Sequence, residues 1–262
     1  MQKPLRVCKG MGSAFEALSI LRLRLHTSQP LKANGRCLLR YHVQGKQDKQ
    51  SVPVKLWVNP PSEVYLQGTL ALDPQGIVLG SNERVFWLAI KPGGVSSYWW
   101  GQWSEASCPD KLMFSPRTLI EALGLAAIDI SEIDNWSLSN EGVFDVLTKR
   151  DSSSITKKIY IYSCDYSVRR IEYFNASGET SIVAEMGKYK AVAGGFSVPT
   201  FIKIISYDET GKGDSVEITL GSIKLTSFSD KQKKRLFTRP EGRGFKHIYK
   251  FGDNCELIEQ PE

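Results

Sequence analysis

Val54-Lys55-Leu56-Trp57-Val58-Asn59-Pro60-Pro61-Ser62-Glu63-Val64-Tyr65-Leu66-Gln67-Gly68 places two β-rich runs on either side of a proline pair. Proline donates no ladder hydrogen bond, so the pair ends the first run and forces a turn before the second. Upstream, Arg36-Cys37-Leu38-Leu39-Arg40-Tyr41-His42-Val43 pairs with Ser51–Val58 across a polar turn as a hairpin. Downstream, Gly76–Gly80, Arg84–Ile90 and Ser97–Trp103 repeat the pattern. After a break it resumes in Val143–Leu147, Lys158–Tyr162, Val168–Phe174, Ser181–Met186, Pro199–Ile205 and Ser215–Leu220. Polar turns such as Asn175-Ala176-Ser177-Gly178 and Asp208–Asp214 separate these runs, which implies an antiparallel meander.

Two helices interrupt the strands. Ser13–Leu21 repeats apolar residues at three and four with Ser13 and Glu16 in the capping-box relation, predicting a helix over 13–25. Ser115-Pro116 through Leu123-Gly124 carries a cap residue, proline at the first turn and glycine just past the end. No βαβ alternation or internal repeat is present. The expectation is one domain over 1–262, mainly β (α+β), with an N-terminal tail at 1–12 and a C-terminal tail at 251–262. It is a single large curved antiparallel sheet, which with so few helices must close on itself or leave an apolar concavity.

Composition is that of a globular chain: 262 residues, 41% hydrophobic and 24% charged, with 34 basic and 28 acidic residues giving +6. No apolar run approaches the ~18 residues of a membrane span. Residues 1–8 lack the apolar core of a signal sequence, which fits a cytosolic protein or a mature form. Cys8, Cys37, Cys108, Cys164 and Cys255 form no C-x-x-C pair, and the odd count leaves at least one thiol unpaired.

Recognised catalytic motifs are absent: no phosphate loop, dinucleotide fingerprint, nucleophile elbow or H-E-x-x-H pair occurs. His26, His42 and His247 are isolated, so no metal or cofactor is expected. Glu121, Asp129, Glu132 and Asp134 read as a solvated face or caps. Asn135-Trp136-Ser137 and Asn175-Ala176-Ser177 match the glycosylation triplet, a pattern that arises often by chance. Catalysis is disfavoured. Five of the six tryptophans fall in the first β half, where they fill a large sheet or line a cavity. From Lys231 to Lys250 the chain is strongly basic, which reads as a solvated helix face and loop or as a contact for anionic lipid or nucleic acid. Its aromatics do not interleave with the cations as stacking platforms require, which argues against nucleic acid.

Asn34–Arg40 and Val54–Gly68 resemble the opening strands of lipoprotein carriers of the LolA/LolB type. Leu79-Gly80-Ser81-Asn82-Glu83-Arg84-Val85-Phe86-Trp87 looks like a segment of a LolA-like, planctomycete-type group of bacterial lipoproteins, and Phe114–Leu125 is similar to that group's following helix. Val198–Ile204 and Leu236-Phe237-Thr238-Arg239-Pro240 resemble its late strand and terminal segment. The resemblance spans about residues 13–250. It implies an unclosed β-barrel of about eleven strands, two or three covering helices as a lid, and an apolar cavity for lipoprotein acyl chains. It also places Arg36 or Arg40 in the region of an arginine that helps hold the lid. By the same resemblance the protein is periplasmic or outer-membrane attached, and any membrane anchor lies outside this chain.

The resulting expectation is a non-catalytic protein that binds a lipid or lipoprotein acyl chain. Its cavity candidates are Trp57, Tyr65, Leu66, Phe86, Trp87, Tyr98 and Trp99, with alternate residues of each strand facing in. Lys231, Lys233, Lys234 and Arg235 are candidates for an anionic surface. The alternatives are a cell-envelope scaffold with a filled interior, or a nucleic-acid binder acting through 231–250.

Overall fold

The computed structural model describes residues 7–26, 29–43, 46–70, 73–91, 96–103, 115–126, 132–192, 197–208, 210–242, 244–252 and 256–260. Six strands come first: β1 (Leu31–Val43), β2 (Lys46–Asn59), β3 (Glu63–Leu70), β4 (Asp73–Ser81), β5 (Val85–Ile90) and β6 (Ser97–Gln102). Seven more follow the middle of the chain: β7 (Trp136–Glu141), β8 (Phe144–Asp151), β9 (Ser154–Tyr162), β10 (Val168–Phe174), β11 (Thr180–Ala191), β12 (Ser197–Tyr207) and β13 (Gly213–Leu225). Within each set every strand pairs antiparallel with the next.

The two meanders are joined where β1 pairs antiparallel with β13, from Leu31↔Leu225 to Arg40↔Ser215. The register shifts between Asn34 and Gly35, and there the strands cross so closely that a Cβ on Gly35 would lie 2.2 Å from the Thr219 carbonyl oxygen. Glycine is required at that point because no side chain fits against backbone.

Two further strands complete one edge: β14 (His247–Phe251) runs parallel to β6, and β15 (Leu257–Glu259) antiparallel to β14. The described residues thus form one 15-stranded sheet whose outermost strands are β15 and β7. These edges do not pair, so the barrel is unclosed. All twelve runs legible in the sequence are strands, but β7, β14 and β15 were not expected. Within the expected C-terminal tail, Phe251 is fully buried and Leu257 to Glu259 are strand residues. Only the β6–β14 pair departs from the antiparallel pattern.

Helix α1 (Ala14–His26) starts as its cap residues dictate, with the Glu16 amide donating to Ser13 Oγ at 3.1 Å and the Gly12 amide to Glu16 Oε2 at 2.9 Å. Helix α2 (Pro116–Ala122) has proline in its first turn and ends before Gly124 at φ +72. A third helix, α3 (Asp230–Phe237), carries a complete Ser229–Gln232 capping box.

The position of α2 shows how strongly the sheet curls. It touches β4 on one meander and β11 and β12 on the other. Six inter-strand steps separate β4 from β11, about 29 Å in a flat sheet, whereas a helix with its side chains is only about 10–12 Å across. The sheet therefore wraps around α2. Leu119, Ile120 and Ala122 of α2 and its capping residue Leu123, with Ala17, Leu18 and Leu21 of α1, join the inner sides of the strands in one apolar cluster.

A disulfide between Cys8 and Cys164 ties the segment before α1 to the β9–β10 turn. Cys37 is a buried free thiol whose pKa burial pushes up to about 12, so it is inert as a nucleophile.

If the β1–β13 crossing holds the halves together, Gly35→Ala will destabilise the fold by at least about 2 kcal/mol. Gly187→Ala on β11, where a new Cβ meets nothing within 4 Å, will change stability by no more than about 0.5 kcal/mol. Urea denaturation of both variants measures the difference.

Candidate ligand-binding site

Strand alternation gives the first meander two differently furnished faces. The inner face, toward α1 and α2, carries Val54, Leu56, Val58, Leu66, Leu79, Phe86 and Leu88, all buried. Trp99 and Trp103 pack against this layer half-buried, and Phe86 lies 4.8 Å from the Trp103 ring and 5.6 Å from Phe251. The outer face carries a separate buried cluster of Tyr65, Val78, Trp87, Ala89 and Tyr98, sealed by Leu236 and Phe237 of α3 and by Phe245.

The seven cavity candidates therefore divide. Leu66, Phe86 and Trp99 belong to the inner layer, whereas Tyr65, Trp87 and Tyr98 lie beneath α3 with Trp57 packed at their margin. Trp87 is fully buried there because Gly80 leaves room for its indole, 2.3 Å from where a Cβ would sit. Tyr98 donates to the Pro240 carbonyl at 2.9 Å, and burial, against the Arg239 charge, pushes its phenol up to about 12.

Asn82 explains why the Gly80-Ser81-Asn82 segment matters physically. Its Oδ1 accepts from the Arg84 and Val85 amides, its Nδ2 donates to the Phe237 carbonyl at 2.8 Å, and its own carbonyl accepts from Trp103 Nε1 at 2.7 Å. One residue thereby fixes the β4–β5 turn and the end of α3 through its side chain and the ring at the inner rim through its carbonyl.

At that rim a pocket of about 240 Å³ opens between the Pro61–Ser62 turn, Trp103 and α2 residues Arg117, Ile120 and Glu121. It is smaller than the roughly 300 Å³ at which ligand sites usually begin. The larger volume behind it is occupied by the apolar sides of α1 and α2.

Specific polar ties hold the two helices. Arg24 of α1 donates to the carbonyls of Tyr166 at 2.7 Å and Asp165 at 2.5 Å. The chain thus leaves the β9–β10 turn at Cys8 and returns to it through Arg24. Helix α2 is held by Glu121, whose Oε2 accepts from Lys157 Nζ and the Tyr173 hydroxyl, each at 2.6 Å, with Arg117 Nε at 3.3 Å from Oε1. Lys157 and Tyr173 are direct cross-strand partners on β9 and β10, and the ammonium sits 5.0 Å from the Tyr173 ring.

Glu121 was expected on a solvated face, but its side chain is only 11% exposed. The sequence could not show this, because its partners are 36 and 52 residues away. Arg36 and Arg40 are not lid contacts: Arg36 donates to Ser51 Oγ and Arg40 pairs with Glu217, both on the outer side. Asp129 lies outside the described residues, while Glu132 pairs with Lys149. Among the described residues no three His, Cys, Asp or Glu side chains converge as metal ligands do.

Burial disfavours the Glu121 carboxylate, yet Lys157, Arg117 and the Tyr173 hydroxyl outweigh it and hold its pKa below the ordinary 4.5. Tyr173 is raised well above 10 by burial and by that carboxylate, so it stays a donor. A carboxyl with a depressed folded-state pKa stabilises the fold above the unfolded value and loses that contribution as pH falls through the folded one. The stability gap between wild type and Glu121→Gln should therefore be full above about pH 5.5 and shrink as pH falls below 4.5. Urea midpoints across that range, followed by tryptophan fluorescence, check this; a pH-independent gap would contradict it.

No protein-family model matches the chain, and no curated protein matches it. Solved structures do. A LolA superfamily protein from Nitrosomonas europaea shares 14% identity at TM-score 0.54, covering 87% of this chain and 99% of its own. A domain from Vibrio parahaemolyticus named for outer membrane lipoprotein sorting shares 13% at 0.55, covering 84% and 96%. A DUF1329 family protein from Desulfovibrio piger shares 10% at 0.52, covering 83% and 94%. The likeness is one of architecture: this chain has the LolA-like fold, a single large unclosed curved sheet around covering helices.

Proposed function

We propose that this protein is a non-catalytic lipid binder of the periplasm or outer membrane that holds an acyl chain, free or on a lipoprotein, against the inner face of its sheet. The observation that carries this reading is the lid. An apolar concavity spanning both meanders is covered by two helices, which are tied to the strands and turns through Arg24 and Glu121 among other contacts. Opening α1 and α2 would expose an apolar layer that includes Leu66, Phe86 and Trp99, with the pocket beside Trp103 as the point of entry. Acyl chains suit such a surface because each buried methylene contributes about 0.8 kcal/mol without needing a polar partner.

Two further observations support the reading. The Cys8–Cys164 disulfide fits an oxidising compartment such as the periplasm. The LolA-like fold is shared with a domain named for lipoprotein sorting. A second reading, an envelope scaffold with no ligand, draws on the fact that α1 and α2 side chains already fill the interior.

Titration with a fluorescent fatty acid separates the two. The carrier reading predicts saturable uptake, competed by unlabelled lipid. Ala126→Trp at the pocket rim should weaken uptake about tenfold, and Trp57→Ala on the outer face should leave it within about twofold. Absence of saturable uptake would favour the scaffold.

A further inference from the structure

Charge is unevenly spread along this chain. Between Lys224 and Lys250 nine basic residues stand against two acidic ones, a net +7 in a protein whose total is +6. The remainder of the chain is therefore close to neutral. The fold gathers more cations onto the same ground. Strand register sets Lys32 directly opposite Lys224 on one side and opposite Trp57 on the other, and Trp57 opposite Tyr65. Lys55, two residues from Trp57 on the same side of β2, adds another charge.

Helix α3 then lies across β3 and β4, close enough for the Arg235 charge to reach the Tyr65 hydroxyl. Lys32, Lys55, Lys224, Lys231, Lys233, Lys234 and Arg235 are all exposed. Among the described residues none of their side chains meets a carboxylate in an ion pair.

This arrangement costs stability. Like charges directly opposite in a sheet destabilise it, as do like charges three or four apart on a helix, here Lys231 with Lys234 and Arg235. A surface built only for solubility intersperses both signs. The helix bearing these charges is nevertheless held rigidly, by Leu236 and Phe237 in the outer cluster and by Asn82 on the Phe237 carbonyl. The half-buried indole of Trp57 at the margin of the patch is the kind of side chain that settles at a membrane–water interface.

We propose that this outer-face patch, formed by α3 with Lys32, Lys55, Lys224 and Trp57, is a docking surface for anionic phospholipid headgroups. It lies on the opposite side of the sheet from the inner layer and does not depend on the carrier reading. Nucleic acid fits the patch less well, since bases need open rings among the cations. Trp100 is already covered, with the Arg239 guanidinium 4.0 Å and Lys250 Nζ 5.5 Å from its ring. Phe228 and Phe237 pack on each other within the cluster, which leaves Trp57.

Co-sedimentation of the full chain with phosphatidylcholine vesicles, with and without phosphatidylglycerol, tests the proposal. Retention is expected only on the anionic vesicles and should fall as salt shortens the Debye length. Each basic side chain near such a surface contributes roughly fivefold in affinity. The variant K231Q/K233Q/K234Q/R235Q should therefore lose on the order of several hundredfold, and K32Q/K224Q, which leaves α3 intact, about twenty-fivefold.

The variant K46Q/K49Q/K190Q/K212Q makes the same net charge change away from the patch and should bind within about threefold of wild type. Equal loss in the patch and control variants, equal retention on neutral vesicles, or tighter binding to duplex DNA than to anionic vesicles would overturn the proposal. Unchanged fatty-acid uptake by the patch variants is the expected companion result, and it separates failure here from failure of the carrier reading.

Discussion

Pairing between β1 and β13 joins residues 31–40 to residues 215–225, and it is the contact on which the rest of the architecture hangs. Apart from the small β6–β14–β15 edge, the other strand pairs join chain neighbours. Local hairpins alone would give two separate meanders, neither able to bury its apolar side. The β1–β13 ladder closes a loop of roughly 180 residues, an entropic cost that grows only slowly with length. In return one continuous sheet can curl far enough for its two halves to meet opposite sides of α2. The close crossing at Gly35 is the steric condition for that ladder.

Once the sheet is continuous, its two faces take different roles. The inner face is large, apolar and covered by helices whose apolar sides belong to the same cluster as the strands, so opening it exchanges that packing as well as the polar contacts of Arg24 and Glu121. Glu121 is the most exacting of these, because leaving it buried without Lys157 would strand a charge. The outer face under α3 is furnished differently. Trp87, Tyr98, Leu236 and Phe237 lock that helix down, and its cations are thereby presented in a fixed array. One segment, the β4–β5 turn at Asn82, serves both sides through its bonds to Phe237 and Trp103.

Local features of this fold were legible in the sequence. The boundaries of α2 follow from Ser115, Pro116 and Gly124, and the twelve β-rich runs all lie in strands. What escaped was set by distant partners. Strand alternation shows that Phe86 and Trp87 face opposite ways, but not which way the helices lie, so both were grouped as cavity candidates. Glu121 reads as an ordinary helix-surface carboxylate until β9 and β10 bring Lys157 and Tyr173 to it. The β7 run Trp136–Glu141 is mostly polar and exposed, β15 has only three residues, and cysteine spacing does not reveal the Cys8–Cys164 pairing.

In the proposed carrier, α1 and α2 form a removable cover and α3 a permanent one. Amide hydrogen exchange, measured with and without a saturating fatty acid, tests this most directly because it reports on each helix without altering the sequence. Protection in α1 and α2 should change when the fatty acid binds while α3 keeps its own. Unchanged protection of α1 and α2 in a sample with the fatty acid stoichiometrically bound would contradict it.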